Sequence, residues 1–86
     1  MYFDYAELRD GTVVAFSNIL PDNTVKVSVE RPVEGGFDSA RCILPSYEWT
    51  GVEGFTEKEL SDLDQFVHDN APLIMHLAYE ESQSYA

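Results

Sequence analysis

The sequence is poor in positive charge. Only 5 of its 86 residues are Lys or Arg, against 16 Asp and Glu, which gives a formal net charge of −11 at pH 7. Phosphate contacts need clustered Lys and Arg, so direct binding to nucleic acid is not expected. An anionic membrane surface would repel the chain for the same reason. The charge favours solubility, and it is also suited to attracting a basic partner protein.

Cysteine and long apolar runs are scarce as well. Cys42 is the only cysteine, which rules out an internal disulfide framework and fits a reducing compartment such as the cytoplasm. The opening segment, MYFDYAELRD, has no basic start followed by an apolar run, so we expect no secretory signal. No apolar run approaches the length that spans a membrane.

Recognisable catalytic, cofactor and metal motifs are missing, and we assign no residue to any of these roles. His68 and His76 have no second His or Cys one turn away, which leaves no helical metal-binding spacing. The Asp-rich loop of calcium sites is also absent. Cys42 alternates with Ala40 and Leu44, a pattern that predicts an inert, buried thiol.

The sequence contains enough apolar and aromatic residues to form one compact domain over residues 1–86, since 44% of its residues are hydrophobic. The clearest pattern is a helical segment from Phe55 to Glu81. Thr56 and Glu59 form a capping box at its start, and Pro72 predicts a helix that is kinked or split near Asn70. An apolar stripe recurs at helical spacing: Leu60, Leu63, Phe66, Val67, Ala71, Ile74, Leu77 and Ala78.

The first half of the chain predicts four antiparallel strands in a meander, which makes the fold class α+β with the helix on one face of the sheet. Turn signals at Asp10-Gly11 and Gly35-Gly36 separate two hairpins. The connection at 46–54 is interpreted as a loop, with a short extended piece at 47–50 as the alternative. The predicted strands are Tyr2–Leu8, Thr12–Ser17, Thr24–Val33 and a fourth that ends at Leu44, before Pro45.

The turns also predict the pairing of residues across each hairpin. A turn centred on Asp10-Gly11 places Tyr5 opposite Phe16. The second turn is centred on Gly35 and Gly36. This centre places the alternating valines of the strand before the turn on the same face of the sheet as Ala40, Cys42 and Leu44 of the strand after it. The expected pairs of that second hairpin are Val27–Leu44, Val29–Cys42 and Glu30–Arg41.

Two groups of residues are candidates for binding a partner. Tyr47 and Trp49 lie between glycine-flanked segments, where they either pack over the sheet or serve as exposed anchors. Asp62, Asp64 and Asp69 add acidic charge to the helix. The helix dipole accounts for carboxylates in the first turn, but it does not account for Asp64 or Asp69. A solvated helix face is the alternative interpretation of these acids.

Three functional hypotheses follow. The first is a small, acidic, cytoplasmic and non-enzymatic interaction module that works through the helix face or the Tyr47–Trp49 loop. The second is an inhibitor that mimics nucleic acid, or an antitoxin-like binder of a basic protein, and it rests on the charge. The third is a small-ligand binder or enzyme that uses Cys42 or a histidine. Exposed strand edges leave dimerisation open.

Overall fold

Five strands precede one helix in the computed structural model, which describes residues 1–83. The sheet is antiparallel with the order β1-β2-β3-β4-β5, so each strand pairs with its neighbour in sequence. The fold class is α+β, as predicted. The helix is not long and apolar enough to cross a membrane. The elements are β1 Tyr2–Glu7, β2 Val13–Ser17, β3 Val25–Val33, β4 Gly36–Leu44, β5 Glu48–Glu53 and α1 Glu57–Gln83.

In the β3–β4 hairpin, each side chain lies on the predicted face of the sheet, but the cross-strand residue pairs differ from the predicted ones. Its loop consists of Glu34 and Gly35, because Val33 pairs with Gly36. Every predicted pair is therefore shifted by two residues, and such an even shift leaves each side chain on its original face. The predicted Glu30–Arg41 pair is wrong. The observed pairs are Val25–Leu44, Val27–Cys42, Val29–Ala40, Ser28–Arg41 and Glu30–Ser39.

The β1–β2 hairpin has a different turn from the predicted one. Leu8 and Thr12 close a three-residue loop through a 2.7 Å bond from the Leu8 N–H to the Thr12 carbonyl. Gly11 takes the left-handed position with φ +87°, which is typical of a three-residue hairpin loop. A bulge between Asp4 and Ala6 then shifts the register again. Phe16 consequently pairs with Phe3 rather than with Tyr5.

The fifth strand, β5, lies in the predicted connection and covers most of the short extended piece at 47–50, so the sheet has five strands rather than the predicted four. β5 pairs with β4 through Cys42–Trp49 and Arg41–Thr50. The register shifts before Glu53 pairs with Ser39, and Gly51 in this stretch has φ +59°. A bulge accommodates such a glycine within a strand, which is why the glycine-rich sequence was misinterpreted.

The start of α1 is the predicted capping box. The Glu59 N–H donates to Thr56 Oγ1 at 3.1 Å, and the Thr56 N–H donates to Glu59 Oε1 at 3.0 Å. The helix continues without interruption through Pro72, so the predicted split into two helices is absent.

The end of α1 lies beyond the predicted end at Glu81. The sequence also suggests a frayed tail from Ser82, but Ser82 Oγ accepts a bond from the Ile19 N–H at 2.9 Å and donates to the Ala78 carbonyl. The remainder of that predicted tail, residues 84–86, lies outside the described residues.

The core lies between the sheet and one side of α1. The alternating valines of β3 and the alternate residues Ala40, Cys42 and Leu44 of β4 are buried. The apolar stripe of the helix covers them, as predicted, and Tyr5 adds a 2.6 Å hydrogen bond from its hydroxyl to Asn70 Oδ1. The helix contributes Leu63, Val67, Ala71, Ile74 and Ala78 to the core.

Arg31 joins the sheet to the first turn of α1. Its guanidinium donates to Asp38 Oδ2 at 2.6 Å and to Glu59 Oε2 at 2.5 Å, and it lies 4.7 Å from the centre of the Phe55 ring. Asp10 is a further carboxylate at 3.5 Å. The hydrogen bond from Arg31, with help from the Thr56 N–H, lowers the pKa of Glu59 to about 2.

Candidate functional site

Tyr47 is held against the helix by the turn between β4 and β5. Its N–H donates to the Ile43 carbonyl at 2.7 Å, and its φ of +62° is a left-handed conformation that is uncommon for an aromatic residue. The ring stacks on the imidazole of His68, with centroids 3.6 Å apart and planes 9° apart. The turn therefore fixes the Tyr47 ring on the side of α1 that faces β5.

Trp49 lies next to this stack, on β5 opposite Cys42. Its indole N–H donates to Asp64 Oδ1 at 2.8 Å, while Asp64 Oδ2 lies 3.5 Å from His68 Nε2. The contacts thus connect a turn, a strand and two successive turns of the helix. We call these four half-buried or exposed side chains, Tyr47, Trp49, Asp64 and His68, the aromatic–acidic cluster.

An open groove of about 400 Å³ adjoins this cluster. Trp49 and Leu60 provide its apolar lining, while Glu57 and Asp64 provide two carboxylates. Ser61 also lines the groove, and no Lys or Arg among residues 1–83 does so. We call this depression, lined by Trp49, Glu57, Leu60, Ser61 and Asp64, the Trp49 groove.

The other two predicted site residues lie elsewhere on α1. Asp62 accepts hydrogen bonds from Lys58 Nζ at 2.8 and 2.9 Å. Asp69 accepts one from Gln65 Nε2 at 2.9 Å. Both carboxylates are exposed and neither belongs to the aromatic–acidic cluster; Asp62 instead lines a groove together with Phe55 and Phe66. The structure therefore brings together three of the five candidates, namely Tyr47, Trp49 and Asp64.

Four further residues of this region were missed as site residues, namely Glu57, Leu60, Ser61 and His68. His68 belongs to the cluster, and its position four residues after Asp64 is a signal that the sequence offers, because such residues face the same side of a helix. Glu57 and Leu60 line the groove, but nothing in the sequence brings them to Trp49 once the β5 segment is interpreted as a loop.

A second groove, of about 380 Å³, lies between the β1–β2 turn and the start of α1. Leu8, Phe55 and Phe66 are among its apolar walls, and Arg31 lies in it beside Glu59. Asp10 and Asp62 line it as well, so a cation of the chain itself already lies among the three carboxylates of this groove. This is the main electrostatic difference from the Trp49 groove.

Cys42 and His76 lie apart, the first in the core and the second on the helix surface. Cys42 is 0% exposed, and burial, with a smaller contribution from the Asp64 charge, raises the pKa of its thiol to about 12. A nucleophilic cysteine needs an accessible thiolate. His76 Nε2 lies 2.7 Å from Glu80 Oε1 on the helix surface. Within residues 1–83, no group of three or more His, Cys, Asp and Glu side chains is placed to hold a metal ion.

Comparison of the chain with protein-family models, with curated proteins and with solved structures found no match. The function is therefore inferred from the geometry. That geometry defines a small meander covered by a helix, with an acidic side and an aromatic groove beside the first turns of the helix.

Proposed function

We propose that this chain is a non-enzymatic interaction module that binds a basic partner protein through the side formed by α1 and β5. The observation that carries the proposal is the acidic charge of α1. The helix contains seven carboxylates and one Lys. That Lys, Lys58, is already paired with Asp62, and Arg31, the other cation near the helix start, is surrounded by carboxylates.

The remaining cations lie away from this side. Lys26 and Arg41 are exposed, and each stands between buried neighbours on its strand. They therefore point to the uncovered face of the sheet, because successive side chains of a strand alternate between faces. Arg9 belongs to the β1–β2 turn. The 27 residues of α1 therefore carry a formal charge of −6, against −5 for all other residues of the sequence.

Such a negative charge on the helix orients a basic partner during its approach and raises the association rate. Salt weakens the attraction, because charges on a surface are screened beyond about 8 Å at physiological ionic strength. A complex formed through this side should therefore dissociate as salt is added. We place this function in the cytoplasm, since the free thiol of Cys42 is compatible with a reducing compartment.

The proposal is tested by affinity capture of the tagged protein at low salt, followed by identification and purification of the captured protein. The informative variant is the double substitution Asp64→Asn and Asp69→Asn, which removes two carboxylate charges that no Lys or Arg of residues 1–83 pairs with, one of them beside β5. Its matched control is Asp4→Asn with Glu30→Gln, which removes two charges from exposed positions on the sheet. We expect the purified partner to bind the helix variant more weakly and the control normally.

Two results would contradict the proposal: equal weakening by both variants, or a partner without basic character whose binding does not respond to salt. Displacement of the partner by duplex DNA would show that the partner's nucleic-acid site is what this chain occupies. That result would make the protein an inhibitor that mimics nucleic acid.

A further inference from the structure

The chain already contains one site that binds a guanidinium group, on the side of α1 where Arg31 lies. There, the Arg31 guanidinium faces the Phe55 ring and donates to the carboxylates of Asp38 and Glu59. An aromatic face and two carboxylates thus hold one planar cation. This combination suits arginine because the guanidinium can stack on a ring and donate to carboxylates in the same plane.

The Trp49 groove offers the same combination on the other side of the helix start. Trp49 supplies the aromatic residue, and Glu57 and Asp64 supply two carboxylates. The hydrogen bond to Asp64 fixes the orientation of the indole, and indole is the ring that attracts cations most strongly. Unlike the first site, this groove contains no Lys or Arg from the described part of the chain.

Both carboxylates of the groove retain capacity to accept hydrogen bonds. Asp64 Oδ1 accepts the indole N–H, and an ionised carboxylate has about four lone-pair sites. Glu57 makes no side-chain hydrogen bond or ion pair among the described residues. A guanidinium lying on Trp49 would therefore meet acceptors that are not yet saturated.

We infer that the Trp49 groove binds an arginine side chain of the basic partner. This inference rests on the proposed function and adds the chemical group that the site selects. Lysine fits less well, since its compact, strongly hydrated ammonium neither stacks on a ring nor donates in a fork. The inference therefore predicts selectivity for arginine over lysine at equal charge, which attraction to an acidic surface alone would not produce.

The test uses the fluorescence of Trp49, which is the only tryptophan in the chain. The purified protein is titrated at low salt with an oligo-arginine peptide and with an oligo-lysine peptide of the same length. We expect a saturable fluorescence change and an affinity about tenfold higher for the arginine peptide. Calorimetry with the same peptides provides an affinity that does not depend on the fluorophore.

Charge-removing variants locate the binding. Asp64→Asn retains an acceptor for the indole N–H but removes the charge, and Glu57→Gln alters the groove without touching Trp49. Each should weaken oligo-arginine binding by about fivefold to tenfold. Asp69→Asn is the matched control on the same helix and should change the affinity by less than about twofold. Circular dichroism checks that each variant is folded.

The outcomes separate the inference from the proposed function. Equal affinity for the two peptides, or equal weakening by the groove variants and Asp69→Asn, would overturn the arginine site while leaving general attraction of basic partners intact. Failure of both peptides to bind at low salt would overturn the inference and the proposed function together.

Discussion

Replacing Ile74 by Ala tests the packing of the helix against the sheet. Ile74 is 0% exposed and belongs to the single core cluster. The substitution removes three carbon atoms, worth about 2.4 kcal/mol at about 0.8 kcal/mol per buried methylene group. The cavity left behind adds to this, and comparable substitutions cost about 2–5 kcal/mol. We expect a loss of about 3–4 kcal/mol in the free energy of unfolding.

That loss is large for this chain, because a domain of this length has a total stability of only about 4–13 kcal/mol. The measurement is urea unfolding followed by circular dichroism and by Trp49 fluorescence. Leu73→Ala is the control, since Leu73 precedes Ile74 on the same helix but is 51% exposed, and its cost should be within about 0.5 kcal/mol. Similar costs for the two variants, or a cost below about 1 kcal/mol for Ile74→Ala, would refute the described packing.

Three more predictions concern particular groups. The hydrogen bond from Arg31 lowers the pKa of Glu59 from 4.5 to about 2. The ionised Glu59 should therefore contribute its full stabilisation to the folded state above about pH 4.5 and lose it as the pH falls towards 2. The acid unfolding curve of the Glu59→Gln variant should lack this pH-dependent loss of stability. Gly54→Ala should cost about 1–3 kcal/mol in thermal or urea unfolding, because φ is +86° and the new methyl group would overlap a neighbouring carboxylate, whereas Gly36→Ala, with open space around it, should cost less. Cys42 should resist a thiol reagent in the native protein and react in urea; rapid native labelling would contradict its burial.

The sequence predicts the β3–β4 hairpin and the helix well because their signals are local or repeated. Val25, Val27 and Val29 are buried as their alternation predicts, and the error in register is even, so it does not change a face. The capping box at Thr56 depends on residues close in sequence, and its prediction is confirmed. The predicted register of β1 against β2 is wrong because a bulge depends on how the two strands pair rather than on the composition of either strand.

The candidate site is less predictable, because its residues come from segments distant in sequence. The β5 segment contains Gly51 and is followed by Gly54, which conceals a strand from pattern analysis. The left-handed conformation of Tyr47 has no signal in the sequence, since residues other than glycine adopt it only when their surroundings impose it. Contact between Trp49 and Asp64 could therefore be found only once β5 was placed beside the helix.

The position of α1 after all five strands has a consequence during synthesis. The ribosome releases the whole sheet before it releases the helix that covers the valines of β3 and the alternate residues of β4. Until Ile74 and Ala78 emerge, the nascent chain exposes an apolar surface. Folding intermediates that expose such a surface are prone to aggregate and are bound by chaperones. Ribosome-bound chains arrested before this point should therefore be protease-sensitive, and protection should begin only when the last turns of the helix leave the exit tunnel.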